Sequence, residues 1–437
     1  MNKITNKIFF GFLLVLALSG VVPVSHAVLQ IEITQGVEGA LPIAIVPFTW
    51  QGNPNTSPPE NIATIVSNDL YRSGLFAPMA VADMPVNHIE AGKINFAPWR
   101  AMGIENLVIG EIKPVDGRSF EISFRLFDVF KGQQLSGFKI PSSYVDLRGS
   151  GHYISDIVYE RLTGEKGAFS TRIAYISALA GKPKRYVLQV ADADGFNAQT
   201  ILESTQPLMS PAWSSDGRSL AYVSFESNRS AIYVQGVYSG KRTKIASFKG
   251  INGAPAWSPD GTQLALTLSK DGNPEIYIME LASKKLTRIT RSYGIDTEPA
   301  WSPDGNTLVF TSDRGGKPHI YKVPSRGGKP ERLTFEGDYN ARAVFSPDGK
   351  RIAMIHGDQG RFRIAVQELK TGEVTVLTDN LLDESPSFAP NGSMIIYASS
   401  HGRRGVLAAV SVDGRVRQRL ALQEGDVREP VWSPFNK

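Results

Sequence analysis

The chain has 437 residues, of which 42% are hydrophobic and 20% are charged, and its formal net charge is +5. It contains no cysteine, which excludes disulfide bonds, thiolate metal sites and thiol catalysis. Its 41 glycines and 27 prolines favour a turn-rich β protein, and the length allows a large core together with a second domain.

The first 27 residues have the features of a secretory signal peptide. Lys3 and Lys7 precede an apolar stretch over residues 8–22, and Ser25-His26-Ala27 is a small-x-small cleavage sequence. A signal anchor is the alternative, but the apolar stretch is short and Pro23 follows it. We therefore expect export with cleavage after Ala27, no membrane span in the remaining chain, and no nucleic-acid partner.

The segment directly after the predicted cleavage point has the alternation of a β-strand. Leu29, Ile31 and Ile33 alternate with Gln30 and Glu32, and no hairpin partner is evident. One interpretation is an edge strand of the first domain's own sheet. The other is a segment that leaves its parent surface and adds to a partner's sheet.

Residues 28–165 predict a small α/β domain with a mixed sheet. Strands are expected over residues 41–48, 107–112 and 120–126, and Ser57 to Glu60 resembles a capping box that opens a helix. The apolar stripe of that helix is Ile62, Ile65, Val66 and Leu70. A second helix is expected to end at Gly164, and residues 163–167 form the predicted hinge.

A repeat fills the rest of the chain. The heptapeptide PAWSPDG occupies residues 255–261 and 299–305, and relaxed copies occupy 211–217, 343–349, 386–392 and 430–436. The aromatic residues of the copies are spaced by 43 or 44 residues: Trp213, Trp257, Trp301, Phe345, Phe388 and Trp432. Each complete repeat contains four short strand patterns, and a repeat of this length with four strands is typical of a β-propeller.

We therefore predict a mainly β protein, with a six-bladed β-propeller over residues 166–437 after the α/β domain. The Pro-Asp-Gly part of the motif suits a turn between the first two strands of a blade, and the aromatic residue is expected between blades. Residues 172–176 resemble a second strand without a motif, whereas Trp432 heads a motif without later strands. The C-terminal motif is thus expected to complete the first blade.

No catalytic motif is evident. The mature chain has five histidines with no HExxH pattern, and it lacks G-x-S-x-G and phosphate-loop motifs, so no metal or cofactor is predicted. The enzymatic alternative is a propeller glycosidase with two carboxylates near the axis. Its candidate carboxylates are Asp296, Glu298, Asp338, Asp383, Glu384, Asp426 and Glu429.

The chain resembles the TolB family, the periplasmic proteins of the bacterial Tol-Pal system. The similarity covers the mature chain and includes LPIAIVPF at residues 41–48, QPLMSPAW at 206–213, FES at 225–227, NGAP at 252–255 and LDESP at 382–386. It implies a monomeric, non-enzymatic adaptor in the periplasm. The implied partners are the lipoprotein Pal, the protein TolA, other envelope proteins and colicin-type bacteriocins, and the implied role is outer-membrane constriction at division and envelope integrity.

The resemblance also implies two binding regions. Val28, Leu29, Gln30, Ile31, Glu32 and Ile33 are expected to bind TolA. The loops that precede the first strand of each blade converge on one face, which is expected to bind Pal. The residues predicted there are Met209, Ser210, Asn252, Gly253, Ala254, Asp296, Thr297, Glu298, Asn340, Arg342, Glu384 and Arg428. Ile251 is left out, because better-known family members have a histidine at this position.

Overall fold

The structure is a computed structural model that describes residues 32–35, 39–86, 88–89, 94–420 and 425–435, with 32–35 as backbone only. The predicted signal peptide lies outside these residues, as do Val28, Leu29, Gln30 and Ile31 of the predicted TolA-binding segment. Within the described part of the chain, no helix has the length and apolar character that a membrane crossing needs.

The N-terminal part is an α/β unit built on a mixed sheet, as predicted. Its elements are β1 (Glu32–Gln35), β2 (Leu41–Ile45), β3 (Thr49–Trp50), α1 (Ile62–Arg72), β4 (Phe76–Pro78), a 3-10 turn (Val81–Asp83), α2 (Ala97–Ala101), β5 (Asn106–Pro114), β6 (Ser119–Asp128), β7 (Gln133–Ser143) and α3 (Leu147–Thr163). The sheet order is β4-β2-β5-β6-β7, with β3 also beside β5. Strand β2 is parallel to β4 and β5, whereas β5, β6 and β7 are antiparallel.

Helices α1 and α3 cover one face of this sheet. The predicted stripe of α1 is buried there with the inward-facing residues of β6, which include Phe120, Ile122 and Phe124. Gly164 ends α3 in the left-handed conformation with φ 81°.

The predicted start of α1 was wrong. The helix begins at Ile62, and its cap is Asn61, whose side-chain oxygen accepts a hydrogen bond from the Thr64 N–H at 3.1 Å. Ser57 and Pro58 each precede a proline, and a residue in that position is biased towards an extended backbone. The two prolines therefore favour an extended backbone over residues 57–58, and the helix begins after them.

The propeller has six four-stranded blades. Blade 1 holds β8 (Arg172–Leu179), β9 (Arg185–Asp192) and β10 (Gln199–Ser204), and blade 2 holds β11 (Leu208–Trp213), β12 (Ser219–Ser224), β13 (Ala231–Gly236) and β14 (Arg242–Ala246). Blade 3 holds β15 (Asn252–Trp257), β16 (Gln263–Leu268), β17 (Glu275–Glu280) and β18 (Leu286–Arg288). Blade 4 holds β19 (Asp296–Trp301), β20 (Thr307–Ser312), β21 (His319–Pro324) and β22 (Glu331–Arg332). Blade 5 holds β23 (Tyr339–Phe345), β24 (Arg351–Asp358), β25 (Arg361–Glu368) and β26 (Val374–Val376). Blade 6 holds β27 (Glu384–Phe388), β28 (Met394–His401), β29 (Arg404–Ser411) and β30 (Arg417–Leu420), and β31 (Asp426–Trp432) returns to blade 1.

The ring closes as the sequence predicts. Strand β31 pairs with β8, with Trp432 opposite Ile173, so the C-terminal motif supplies the innermost strand of blade 1. The six innermost strands contact one another in the order β31, β11, β15, β19, β23, β27 and back to β31. Blade 1 is therefore built from both ends of the propeller sequence.

The motif residues hold neighbouring blades together. The indole N–H groups of Trp213, Trp257 and Trp301 donate to the carbonyl groups of Val431, Ala212 and Ala256, each in the preceding blade, at 3.1–3.2 Å. In the turn that follows, the motif glycine has a positive φ of 68–76° in the copies from Gly217 to Gly392. The prediction of an inter-blade aromatic residue and a tight turn is confirmed.

Strand β1 lies on the propeller. It pairs antiparallel with β30, with Ile33 opposite Gln418, and becomes a fifth strand of blade 6. The interpretation of this segment as an edge strand of the first domain's own sheet was therefore wrong. Without β1, the edge of β30 in blade 6 would be open for pairing. Pairing through the backbone needs no matching sequence nearby, so local patterns could not identify β30 as the partner of β1.

Candidate protein-binding face

Six loops converge on the face where the innermost strands begin. They precede β11, β15, β19, β23, β27 and β31, and we call this surface the docking face. Part of the loop before β31 lies outside the described residues. The opposite face carries the turns of the repeated motif, such as Gly261 and Gly305.

A ring of residues with left-handed backbone surrounds the axis of this face. Ser210, Ala254, Glu298, Arg342, Ser385 and Glu429 have φ between 44° and 59°, and each stands three positions before the motif aromatic residue. The strand register shifts at the same point in every blade, as in a β-bulge. Because all six blades share the bulge, it belongs to the scaffold, and the bulge residues Ser210, Ala254, Glu298, Arg342 and Ser385 line a central channel of about 150 Å³.

The charged side chains at the channel mouth are paired within the molecule. Arg342 Nη2 lies 3.0 Å from Glu429 Oε2, which also accepts the Ser210 N–H at 2.5 Å. Glu298 Oε2 accepts a hydrogen bond from Thr311 Oγ1 at 2.9 Å. Burial by itself would lower the pKa of Arg342, but the Glu429 and Glu298 carboxylates raise it above its ordinary value. These residues form a fixed charged centre.

Three of the predicted contact residues are buried and hold the loops in place. Asn252 Oδ1 accepts the Phe248 N–H at 2.8 Å, and Asn252 Nδ2 donates to the Phe248 carbonyl at 2.8 Å. Asn340 Nδ2 donates to the Glu336 carbonyl at 2.8 Å in the equivalent loop. Asp296 binds Arg314 Nη2 at 2.5 Å. Since all three side chains are at most 1% exposed, they position the docking face and do not offer a contact surface themselves.

The remaining predicted residues lie at or near the surface of the docking face. Met209 is 42% exposed, and Arg428 is exposed and pairs with Asp426 at 2.8 Å. The half-buried members of the prediction are Ser210, Gly253, Ala254, Thr297, Glu298, Arg342 and Glu384. The structure thus brings all the predicted residues to one face but divides them into surface and supporting positions.

Sequence reasoning did not select a set of exposed apolar residues in the docking-face loops, and it had considered Ile251 alone among them. Tyr293 is fully exposed, Phe335 is 73% exposed and Leu381 is 70% exposed. We call the full set the apolar rim: Phe248, Ile251, Tyr293, Ile295, Phe335, Leu381 and Leu382. Their signal in the sequence is a large apolar residue within five positions before a blade's first strand. A group of large exposed apolar residues on one surface marks a candidate protein-binding site.

Three carboxylates of the glycosidase alternative, Glu298, Glu384 and Glu429, lie near the Arg342 guanidinium at the channel mouth, whereas the others lie elsewhere. Asp296 and Asp383 are fully buried within their blades, and Asp338 pairs with Lys317 at 2.5 Å on the surface. Glu429 is bound to Arg342, as described above.

One group of potential metal ligands occurs in the described residues, and it lies away from the docking face. Asp69, His152 and Asp194 have ligand atoms within 4.8 Å of one another. Asp69 is bonded to Arg72 at 3.0 Å, and Asp194 is bonded to Arg148. Two fixed guanidinium charges compete with any cation there, so this group is an ion-pair cluster and does not suit a metal ion.

Comparisons with known proteins match both parts of the chain. The TolB amino-terminal domain matches residues 29–135, and the TolB beta propeller domain matches residues 159–436. The Tol-Pal system protein TolB of Thioalkalivibrio sulfidiphilus is 65% identical over 94% of this chain and 95% of its own length. That of Nitrosococcus oceani is 64% identical over the same shares. The crystal structure of TolB from Acinetobacter baumannii superposes with a TM-score of 0.86 at 44% identity, covering 93% of this chain and all of that one.

Proposed function

The chain belongs to the TolB family, and from that membership we propose that it is a non-enzymatic adaptor of the Tol-Pal system in the periplasm. Its docking face binds the lipoprotein Pal, and residues 28–33 bind TolA. Through these two contacts it acts in outer-membrane constriction at cell division and in envelope integrity. Colicin-type bacteriocins are further candidates for the docking face.

The apolar rim is the observation that carries the proposal. Its side chains belong to the loops before β15, β19, β23 and β27, on the face that carries the charged centre. Buried polar residues such as Asn252 and Asn340 fix these loops. Apolar anchors on a rigid scaffold lose little conformational entropy on binding, which favours affinity. A complex of this kind is expected to bury about 1,200–2,000 Å² in total.

Support for the second contact comes from the position of β1. A strand at the edge of a sheet is held by backbone hydrogen bonds, and an extended segment can exchange one sheet edge for another. Glu32 and Ile33 pair with β30 of blade 6 in this way. The same backbone groups would be available to the sheet of TolA after release.

The test compares two exposed tyrosines. Tyr293 belongs to the apolar rim, whereas Tyr238 is 76% exposed in the β13–β14 turn on the opposite face. Titration calorimetry with soluble Pal is expected to show binding weakened by more than about 1 kcal/mol in Tyr293→Ala, because truncating an interface anchor costs at least this much. Tyr238→Ala is the matched control and should bind as the wild type does.

Equal affinities of both variants and the wild type would remove the apolar rim from the binding site. Release of sugar from envelope glycans by the purified mature protein would support the glycosidase alternative instead. Both measurements use the protein without residues 1–27.

A further inference from the structure

The ion-pair cluster joins the α/β unit to the propeller. Asp69 and Arg72 belong to α1, and Arg148 and His152 belong to α3. Asp192 and Asp194 belong to the end of β9 and the turn after it in blade 1. We call these six residues the junction cluster.

Several contacts within the junction cluster cross between the two parts of the chain. Arg148 binds Asp194 and lies 3.5 Å from Asp192, and its guanidinium stacks 4.0 Å from the centre of the Phe196 ring. Arg72 Nη1 donates to the carbonyl group of Ala193 at 3.2 Å. The backbone carbonyl group of Arg72 also accepts a hydrogen bond from the side-chain amide of Gln418 in β30.

His152 lies at the centre of the cluster, with both ring nitrogens facing carboxylates. It is 2% exposed, and its Nδ1 is 2.6 Å from Asp69 Oδ2. Its Nε2 is 3.8 Å from Asp194 Oδ2 and has no hydrogen-bond partner among the described residues. A neutral imidazole has one nitrogen without a proton, and the lone pair of that nitrogen would face a negative oxygen in either tautomer. Only the imidazolium offers an N–H to each carboxylate.

The charges of the cluster point to the same protonation state. Apart from His152, the junction cluster contains three acidic residues, Asp69, Asp192 and Asp194, and two basic residues, Arg72 and Arg148. With a neutral His152 the three carboxylates face only two guanidinium groups, whereas the imidazolium supplies the third positive charge. Asp192 lies at the edge of the cluster with 25% of its side chain exposed, and burial raises its pKa. The nearest further acid on α3, Asp156, accepts the Phe169 N–H at 2.7 Å and also binds Ser170.

We propose that His152 is held as an imidazolium between Asp69 of α1 and Asp194 of blade 1, and that its proton locks the α/β unit onto the propeller. Loss of the proton leaves an unbalanced negative charge, and one of the two carboxylate contacts of His152, either with Asp69 or with Asp194 across the junction, becomes repulsive. The lock therefore weakens as the pH rises. This inference is independent of the proposed partners.

The direction of the pKa shift agrees with this geometry. Burial by itself would lower the pKa of His152, but the charge of Asp69, the hydrogen bond to it and the charge of Asp194 together raise it. A histidine whose pKa is raised by folding stabilises the folded state fully below its unfolded pKa of about 6.5. That contribution is lost as the pH rises through the folded pKa.

The first test follows the histidines by NMR in the mature full-length protein labelled with ¹³C-histidine. The His152 signal is identified by its absence in His152→Gln. We expect it to titrate above the ordinary histidine value of about 6.5, and a midpoint below that value would overturn the proposal. If His152→Gln does not fold, Asp194→Asn identifies the signal by its shift. Loss of the propeller carboxylate should lower the midpoint by about 1 pH unit, and an unchanged midpoint would also overturn the proposal.

The second test measures the junction itself. Because the chain has no cysteine, Lys131→Cys and Lys285→Cys can carry a pair of fluorophores, one on each side of the junction, at exposed positions. The distribution of interdomain distances is expected to broaden as the pH rises through the His152 midpoint, and to be broad at every pH in His152→Gln. His401→Gln, the same change at an exposed histidine of blade 6, should behave as the wild type does. If the distribution in His152→Gln equals that of the wild type at every pH, the proposal is wrong.

Discussion

Individual positions of the repeat have separate tasks. The motif aromatic residue packs between neighbouring blades, and the residue three positions before it forms the left-handed bulge. The residue five positions before the aromatic residue is a buried polar group in four blades: Asn252, Asp296, Asn340 and Asp383. In the other two blades that position holds Leu208 and Val427. The polar residues bind the loops of the docking face, so the shape of that face depends on side chains that are themselves buried.

Replacing Asn252 with alanine is expected to lower the free energy of unfolding by about 1–3 kcal/mol, because it removes two side-chain hydrogen bonds to Phe248, each of which contributes about 0.5–1.5 kcal/mol. The loop that carries Phe248 should also loosen, and Pal binding should weaken. Chemical denaturation and calorimetry measure the two effects. Asn306→Ala, in an exposed turn on the opposite face, is the control and should change neither. Equal losses in both variants would mean that Asn252 has no special role.

A second prediction at this scale concerns the blades that lack a motif tryptophan. Phe345 lines a groove of 400 Å³ between blades 4 and 5, and it has no N–H to donate to the Ala300 carbonyl group. Phe345→Trp is expected to raise the free energy of unfolding by about 0.5–1.5 kcal/mol, by adding the hydrogen bond found in blades 2, 3 and 4. Thermal unfolding measures the change. The reverse variant, Trp301→Phe, should be destabilised, and a destabilised Phe345→Trp would show that the groove cannot accept an indole.

Among the elements, β1 has the most unusual position. Its partner β30 also carries Gln418, whose side chain reaches the end of α1 at Arg72. The N-terminal strand therefore lies next to the contact between the α/β unit and blade 6. Release of β1 would leave the edge of β30 unpaired in the described part of the chain.

Deletion of residues 28–33 is expected to abolish TolA binding, because it removes the proposed binding segment. Pal binding should stay nearly intact, because the docking face is built from other loops. Calorimetric titration with each partner measures both effects. A variant with a Gly/Ser segment of the same length separates loss of sequence from loss of length, and it should behave like the deletion. Retained TolA binding would refute the proposal, and loss of both partners would mean that the segment is structural.

For the whole molecule, stability depends on closure of the ring by β31. Its Trp432 is 9% exposed, donates its indole N–H to Thr171 Oγ1 at 2.8 Å, and belongs to a core shared by blades 1 and 6. Strand β31 also contacts the innermost strands of both neighbouring blades. The last strand is therefore part of the core, although it stands at the end of the chain.

Truncation before Pro430 is expected to lower the free energy of unfolding by about 3–5 kcal/mol, the usual cost of emptying the site of a buried tryptophan. The exposed edge of β8 should also promote aggregation. Thermal unfolding and light scattering measure these effects, with a chain that lacks only residues 436–437 as the control. An unchanged melting temperature in the truncated protein would show that closure does not require β31.

The sequence by itself determined the architecture, because the repeat consists of short sequence patterns that each predict a local structure. The spacing of Trp213, Trp257 and Trp301, the glycine turns and the strand alternation are short-range signals, and they predicted six blades and the closure by Trp432. The same patterns predicted which loops form the docking face. They could not show that Asn252 and Asp296 are buried supports, because burial depends on where the preceding loop folds back.

Only the tertiary structure decided the contacts between distant segments. The pairing of Ile33 with Gln418, and the meeting of Asp69, His152 and Asp194, depend on how the α/β unit sits against blades 1 and 6. Neither contact has a periodic signal, because each is made once and not in every blade. The apolar rim likewise exists only when loops that are separated along the chain converge around one axis. Repeated local interactions can be read from the sequence, whereas single long-range contacts depend on the packing of the whole chain.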